Sequence, residues 1–449
     1  MSGRLVPAES DASHGSRLLR ARWLLPVAGP VIEHAWLRLD RGRVAGLGSG
    51  CPPPAGHPQP IDLGDAVITP GFINAHTHLE FSALRQPFAT DGGLAAWIDR
   101  VVAWRRQQPA ADGGQLESAI RAGLQESAAD GVVALGEIGT ASVTISTLRQ
   151  GPRLRVFREL LGLRPLPDDR PDGPVAAALR DAGRLARAGL AVGLSPHAPY
   201  STQQPLGRSA IKAAGSLRRL ARRRVGGRRP IVPLAMHLAE SADENDLLEH
   251  HAGPFRDLFE RLGVWPEPPP RLAATADWIS LLARAERGLV IHGTHLPDDP
   301  VALARLSRHR DRLAVAICPR TTLALAGRLP PVATFQAAGL QVCLGTDGRG
   351  SNPDLSIRAE ARCLIEAGIV PPAEALRMVT QRAAWAVGFE DSTGRIAVGR
   401  PADLAILRPL SAPATADAAV AAVFAADTQV IATLRGGRII AGSWQSGFQ

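Results

Sequence analysis

His76 and His78 stand two residues apart at the end of the apolar run Ala66–His78. On a strand, residues i and i+2 face the same side, so both imidazoles can reach one ion. An isolated His-x-His pair is weak evidence of a metal site, but it does not stand alone here. His197 closes the run Ala191–His197, His237 closes Ile231–His237, His292 closes Leu289–His292 and Asp347 closes Leu340–Asp347. Glu240 follows His237 by three residues. Ser241 and Glu244 then form an S-x-x-E capping box that starts a helix, which leaves Glu240 in a strand-to-helix loop. Three His and one carboxylate with an open position make a catalytic metal set rather than a structural one. A buried Asp at a strand end needs a cation or donor to pair it. A divalent ion would lower the pKa of bound water from 15.7 to about 7. Glu240 and Asp347 are then placed to move the proton, and His292 to steady charge as an electrophilic sp2 carbon is attacked. The expected chemistry is metal-assisted hydrolysis.

These residues need a scaffold that brings strand ends together. Eight short apolar runs, from Ala66–His78 to Leu340–Asp347, alternate with segments of helical spacing. That pattern predicts an α/β fold with a parallel sheet, and eight strands close a (β/α)8 TIM-like barrel whose active site lies at the C-terminal strand ends. The ends of the chain read differently, as short antiparallel strands: Trp23–Val27, His34–Leu39 and Arg43–Leu47 early, then Ala402–Leu407, Val420–Ala425, Val430–Leu434 and Gly437–Ala441 late. The expected organisation is a barrel over residues 67–389 and a small composite β-sandwich subdomain built from residues 1–66 and 390–449. Asn352 and Pro353 are expected as N-cap and first residue of the last barrel helix. His295, out of phase with His292, is expected to be a loop hydrogen-bonder.

With 449 residues, 45% hydrophobic and 21% charged, the chain can bury one large core and a smaller one. No apolar run approaches the roughly 18–20 residues that span a bilayer, and Met1–Arg20 lacks the apolar core of a secretory signal. A cytoplasmic protein without a membrane partner is expected. The net charge of +9 does not imply nucleic acid: Lys212 is the only lysine, the arginines are spread along the chain, and aromatics are 4%. The one dense basic stretch, Arg218–Arg229, reads as a solvated helix face and loop, with an acidic partner as the other reading. Four cysteines without C-x-x-C spacing indicate neither a zinc ribbon nor a disulfide framework. The scarcity of lysine also bears on the metal count. Barrels that bridge two ions often use a carboxylated lysine at the fourth strand end, whereas Lys212 lies in a helix-like stretch fifteen residues past His197. One ion per chain is expected; two ions bridged by Glu137 or Glu159 would overturn this.

Over nearly its whole length the sequence resembles the amidohydrolase superfamily, in its mononuclear deaminase and chlorohydrolase branch. The resemblance rests on Pro70–Gly–Phe–Ile–Asn–Ala–His–Thr–His78, His237–Leu–Ala–Glu–Ser241, His292–Gly–Thr–His–Leu296, Leu344–Gly–Thr–Asp347 and the tail from Gly394 to Ala405. It implies His76, His78, His237 and Asp347 as ligands of one zinc, or of iron in its place. It gives Glu240 the proton-shuttle role, His292 the water-orienting role and His197 a substrate contact. The implied activity is hydrolytic deamination of an amino-purine nucleoside or related heterocycle, a small-molecule substrate. The alternatives are chlorohydrolase or amide hydrolase chemistry at the same site, or a non-catalytic binding protein of the same fold. His78–Leu–Glu–Phe–Ser82 is most similar to aminodeoxyfutalosine deaminases. Two departures bear on the substrate. The glutamate that some nucleoside deaminases direct at the ribose has no counterpart in Trp104–Arg–Arg–Gln107, and Cys318–Pro–Arg–Thr–Thr322 replaces a C-P-x-S-N form. Arg320 is read either as contacting an anionic substrate group or as a rim salt bridge, and Glu80 either as reading substrate polarity or as structural. Relatives of this kind often form homodimers, but no interface is legible in the sequence.

Overall fold

The computed structural model describes residues 15–52, 59–108, 113–139, 143–163, 174–220 and 230–444. The strands fall into two sheets. The terminal sheet holds β1 (Arg17–Leu24), β2 (Ile32–Asp40), β3 (Arg43–Ser49), β4 (Ile61–Asp62) and β5 (Val67–Pro70). The barrel follows with β6 (Phe72–Thr77), β7 (Val132–Gly139), β8 (Arg153–Leu160), β9 (Ala191–Pro196), β10 (Leu234–Leu238), β11 (Gly288–His292), β12 (Leu313–Ile317) and β13 (Gln341–Leu344). The chain then returns to the terminal sheet with β14 (Leu404–Arg408), β15 (Gln429–Arg435) and β16 (Arg438–Gly442).

All neighbours from β6 to β13 pair in parallel, as strands joined by crossover helices do. Both faces of these strands are buried, which explains their nearly continuous apolar runs. Alanines (Ala75, Ala134, Ala235, Ala314, Ala316) alternate with larger side chains (Ile73, Ile138, Phe157, Leu289, Ile291) inside, and Val387 and Phe389 pack against them. The barrel closes where its first and last strands meet. Asn74 donates to Thr346 Oγ1 at 2.7 Å, the Thr346 amide donates to the His76 carbonyl at 3.0 Å and the His78 amide to the Asp347 carbonyl at 2.6 Å.

The other sheet runs β16-β15-β14-β5-β1-β2-β3, with β4 beside β1. Its end strand β3 is also tied to the segment leading into β14: the Ala402 amide donates to the Gly42 carbonyl and the Val44 amide to the Arg400 carbonyl, both at 2.9 Å. Leu19, Leu37, Ile68, Leu404, Ile406 and Leu434 form its interior.

Two expected elements differ. The run Ala66–His78 is not one strand. Its first half, β5, pairs with β14 and β1 in the terminal sheet, and only its second half enters the barrel. The chain changes sheets at Gly71, where a Cβ would lie 2.1 Å from a Val133 methyl. The expected strand Val420–Ala425 is instead the end of a helix, Ala416–Ala422, capped by the Thr415 hydroxyl accepting from the Ala418 amide at 3.2 Å. Its alanines favour helix, and the cap removes one orphan donor.

Candidate metal centre

The barrel seam assembles the polar site. His76 and His78 leave β6 on the same side with ring centroids 4.9 Å apart. Asp347 lies three residues past β13, on a loop rather than on the strand itself. Its Oδ1 is 3.3 Å from His76 Nε2 and 3.6 Å from His78 Nε2. Its Oδ2 accepts from Ser351 Oγ at 2.5 Å, which turns Oδ1 toward the imidazoles. His237, on β10, donates Nδ1–H to the His197 carbonyl at 3.0 Å; the carbonyl can only accept, so Nε2 carries the lone pair. That Nε2 faces His78 Nε2 at 3.3 Å. Three imidazoles and a carboxylate thus converge, all buried.

This donor set fits a divalent cation. Both ring nitrogens of His76 and the Nδ1 of His78 have no hydrogen-bond partner among the described residues. Bare buried nitrogens of this kind are costly unless something absent from the chain satisfies them. Burial also keeps the rings neutral and ready to ligate. It pushes His76 down to about 3 and His78 and His237 well below the ordinary range, with neighbouring imidazoles adding to the effect. The space is tight as well: a Cβ on Gly345 would sit 2.7 Å from the His76 Cβ and 2.9 Å from its carbonyl oxygen, so β13 reaches His76 only because residue 345 is glycine.

Glu240 and His292 stand beside this cluster, with His292 Nε2 3.3 Å from Glu240 Oε1. Burial raises the Glu240 pKa well above the carboxylate range, and the Asp347 and Glu244 charges push the same way. Ala239 (φ 52°), His292 (φ 67°) and Asp347 (φ 59°) all adopt the left-handed region although none is glycine. Such strain costs about 1–3 kcal/mol per residue and persists where surrounding structure holds it. Here it turns three strand ends into the site.

Glu244 supplies part of that support. Ser241 caps the helix Ala242–His250 as expected, accepting from the Glu244 amide at 3.3 Å. The Glu244 carboxylate, however, does not return to the cap residue; it accepts from the Ala239 and Glu240 amides at 3.0 and 3.1 Å. Burial pushes this carboxyl up to about 7 against the pull of those two bonds. Glu244→Gln puts an amide NH2 against one of the two backbone donors and loosens the peptide that carries Glu240. We expect a fall of about 10- to 100-fold in kcat, the scale of a misplaced reacting group. KM and metal content should hold, as read by steady-state kinetics and elemental analysis.

The remaining sequence candidates separate. His197 lines a cavity of about 640 Å3 over the cluster, with His78, His237, Glu240, His292 and Asp347 at its floor. Its Nδ1 lies 2.5 Å from Ser201 Oγ. Arg320 is not among the cavity's lining residues: its guanidinium bonds Glu360 at 2.7 Å and Asp354 at 2.6 Å. Glu80 also points elsewhere, bonded to Arg105, so the cavity meets Arg105 instead. Asn352 is not the cap of the following helix; Ser356 caps Ile357–Glu366, and the Asn352 amide donates to the Thr346 carbonyl at 2.6 Å and to Thr321 Oγ1 at 2.9 Å, tying down the loop after Asp347. His295 bonds Asp298 at 2.9 Å. Of the basic stretch Arg218–Arg229, Arg218 and Arg219 end the helix Gln204–Leu220, Arg218 pairing with Glu286, and residues 221–229 lie outside the described residues; no helix among the described residues is long and apolar enough to cross a membrane. Sequence reasoning did not single out Arg105, Ser351 or the second role of Glu244.

Comparison with known proteins agrees with this arrangement. A model of the amidohydrolase family matches residues 67–440. A 5-methylthioadenosine/S-adenosylhomocysteine deaminase of Moorella thermoacetica is 29% identical over 406 residues, covering 88% of this chain and 86% of its own. An aminodeoxyfutalosine deaminase of Deinococcus radiodurans is 30% identical over 330 residues, 68% of this chain and 72% of its own. Among solved structures, the aminofutalosine deaminase of Helicobacter pylori in complex with methylthio-coformycin shares the fold, with a TM-score of 0.80 at 22% identity over 94% of this chain and 99% of that one.

Proposed function

The chain belongs to the amidohydrolase family, and on that premise we propose that it is a hydrolytic deaminase of an amino-purine nucleoside or closely related aminated heterocycle, using one divalent ion per chain, zinc in the first instance. The observation that carries this reading is the Glu240–His292 pair set against His78, His237 and Asp347 on the floor of one cavity, with His76 buried against Asp347. The names of the relatives support the substrate class.

His76, His78, His237 and Asp347 would hold the ion. When bound, it supplies Lewis acidity and a water acidified from 15.7 to about 7. The Glu240 carboxyl, its pKa raised by burial and by the charges of Asp347 and Glu244, donates in its protonated form to the ring nitrogen beside the aminated carbon and makes that carbon electrophilic. Water adds there, with His292 bonding the incoming oxygen. Glu240 returns to the protonated state with the water's proton and passes it to the departing amine, which leaves as ammonia; the adduct's remaining hydroxyl proton then goes back to the Glu240 carboxylate as the ring carbonyl forms. His197, in the wall, contacts the ring. Leu94, Trp97, Ile98 and Phe259 line the cavity further out and suit an apolar substituent beyond the ring.

The single-ion reading has support in the ring chemistry. Glu159, His197 and His237 form a second cluster with ligand atoms within 4.8 Å of one another. His237 has already committed Nδ1–H to a carbonyl and has one lone pair, on Nε2, so it cannot serve both clusters at once. Lys212 is exposed on the helix Gln204–Leu220, which leaves no lysine to bridge two ions.

The test is ammonia release by the zinc-loaded protein from adenosine, 5′-methylthioadenosine, S-adenosylhomocysteine, aminodeoxyfutalosine and an aminotriazine, with a chlorotriazine scored for chloride. Ammonia from at least one purine nucleoside is the expected result. Chloride alone, or no product from any of them with metal bound, overturns the reading.

A further inference from the structure

Glu159, the last residue but one of β8, is the unexplained group of the cavity wall. Its side chain is 2% exposed. Both carboxylate oxygens are buried without a hydrogen-bond partner among the described residues, although the residue lines the cavity. Its neighbour Arg158 faces the other way and pairs with Asp181 at 3.3 Å. His197 Nε2 comes no nearer than 3.8 Å, beyond hydrogen-bond length. A buried carboxylate with two bare oxygens is among the costliest arrangements a fold can hold, unless a ligand completes it.

Three kinds of ligand could do so. A second metal ion is disfavoured by the single free lone pair of His237. A cationic substrate group is disfavoured by Arg105, which lines the same cavity, lies over the Phe81 ring and keeps its charge close enough to act on Glu159. Neutral donors remain, and a carboxylate presents two acceptors side by side, which suits two adjacent hydroxyl groups. We propose that Glu159 is a specificity-determining residue that accepts hydrogen bonds from a vicinal diol of the substrate, such as the two free hydroxyls of a nucleoside sugar. This rests on the nucleoside reading above and deepens it. The carboxylate that reads substrate polarity is then Glu159, at the end of the third barrel strand, while Glu80 is occupied by Arg105.

The experiment compares adenosine with 2′,3′-dideoxyadenosine on the zinc-loaded wild type and on Glu159→Gln. Affinity is read by calorimetry and turnover by ammonia release. The wild type should prefer the diol by about 100-fold, the scale set by leaving polar groups of a site unpaired. In Glu159→Gln the preference should shrink to about tenfold or less, through loss on adenosine alone. The dideoxy compound should be unaffected and the metal should stay at one ion per chain. A wild-type ratio near one, an equal loss on both compounds, or a fall from two ions to one in the variant overturns the assignment. The wild-type comparison needs no variant to fold. Diol-selective binding without ammonia sinks the deaminase reading and keeps this one; ammonia without diol preference does the reverse.

Discussion

Glu240→Gln should lower kcat by roughly 10²- to 10⁴-fold, the range a positioned general acid-base contributes, while the fold and the bound metal persist. The substitution is close to isosteric, and burial together with the Asp347 and Glu244 charges raises the pKa of the wild-type carboxyl well above the carboxylate range. A neutral amide at this position adds no buried charge. The amide still faces His292 across 3.3 Å and keeps its backbone anchored by Glu244. What it cannot do is give up and regain a proton. Elemental analysis should find the wild-type ion content, thermal melting the wild-type midpoint, and only ammonia release should fall. Turnover within a few-fold of wild type would take Glu240 out of the mechanism.

Asp347→Asn should behave in the opposite order, losing the ion first. Ser351 can still donate to the side-chain oxygen as it does to Oδ2, so the NH2 group replaces Oδ1 opposite His76 and His78 at 3.3 and 3.6 Å. Two N–H donors then meet the lone pairs that a cation needs. The variant fills with hydrogen bonds the gap that the wild type leaves for a metal, and its metal-free form should fold well. Equilibrium dialysis against zinc should show affinity weakened by at least about 100-fold, above the 10- to 100-fold typical of groups that merely support a ligand. Turnover at limiting zinc should fall with it. Unchanged zinc affinity would remove Asp347 from the ligand set.

The two variants separate holding from proton transfer, and the sequence showed both halves unequally. The eight barrel strands were legible because buried parallel strands are apolar throughout and the longer helices between them keep a different period. His76 and His78 were legible because strand spacing alone puts them on one side. The Ala416–Ala422 helix was misread because a short run of alanine and valine has the same hydropathy in either state, and only the Thr415 cap distinguishes them. The split at Gly71 was hidden because both halves of the run are equally buried. Glu80 and Arg320 illustrate a further limit. Motif position places a long charged side chain near a site, but its direction depends on a partner remote in sequence: Arg105 is 25 residues from Glu80, and Glu360 is 40 from Arg320. Ser351 and Glu244 act through contacts fixed only once the loops are folded.

The seam between β6 and β13 also sets an order of events during synthesis. The Asn74–Thr346 bond joins residues 272 apart, and β5, one residue upstream of β6, finds its partner β14 only beyond residue 403. A ribosome making this chain exposes His76 and His78 long before any carboxylate stands opposite them. Until the last barrel strand and the returning terminal strand emerge, those imidazoles are two loose ligands on an unpaired edge, and closing so long a loop is slow and entropically costly. On the proposed ligand set, capture of the ion would come late, after the seam has closed, and the metal inventory that matters would be the one the finished polypeptide meets.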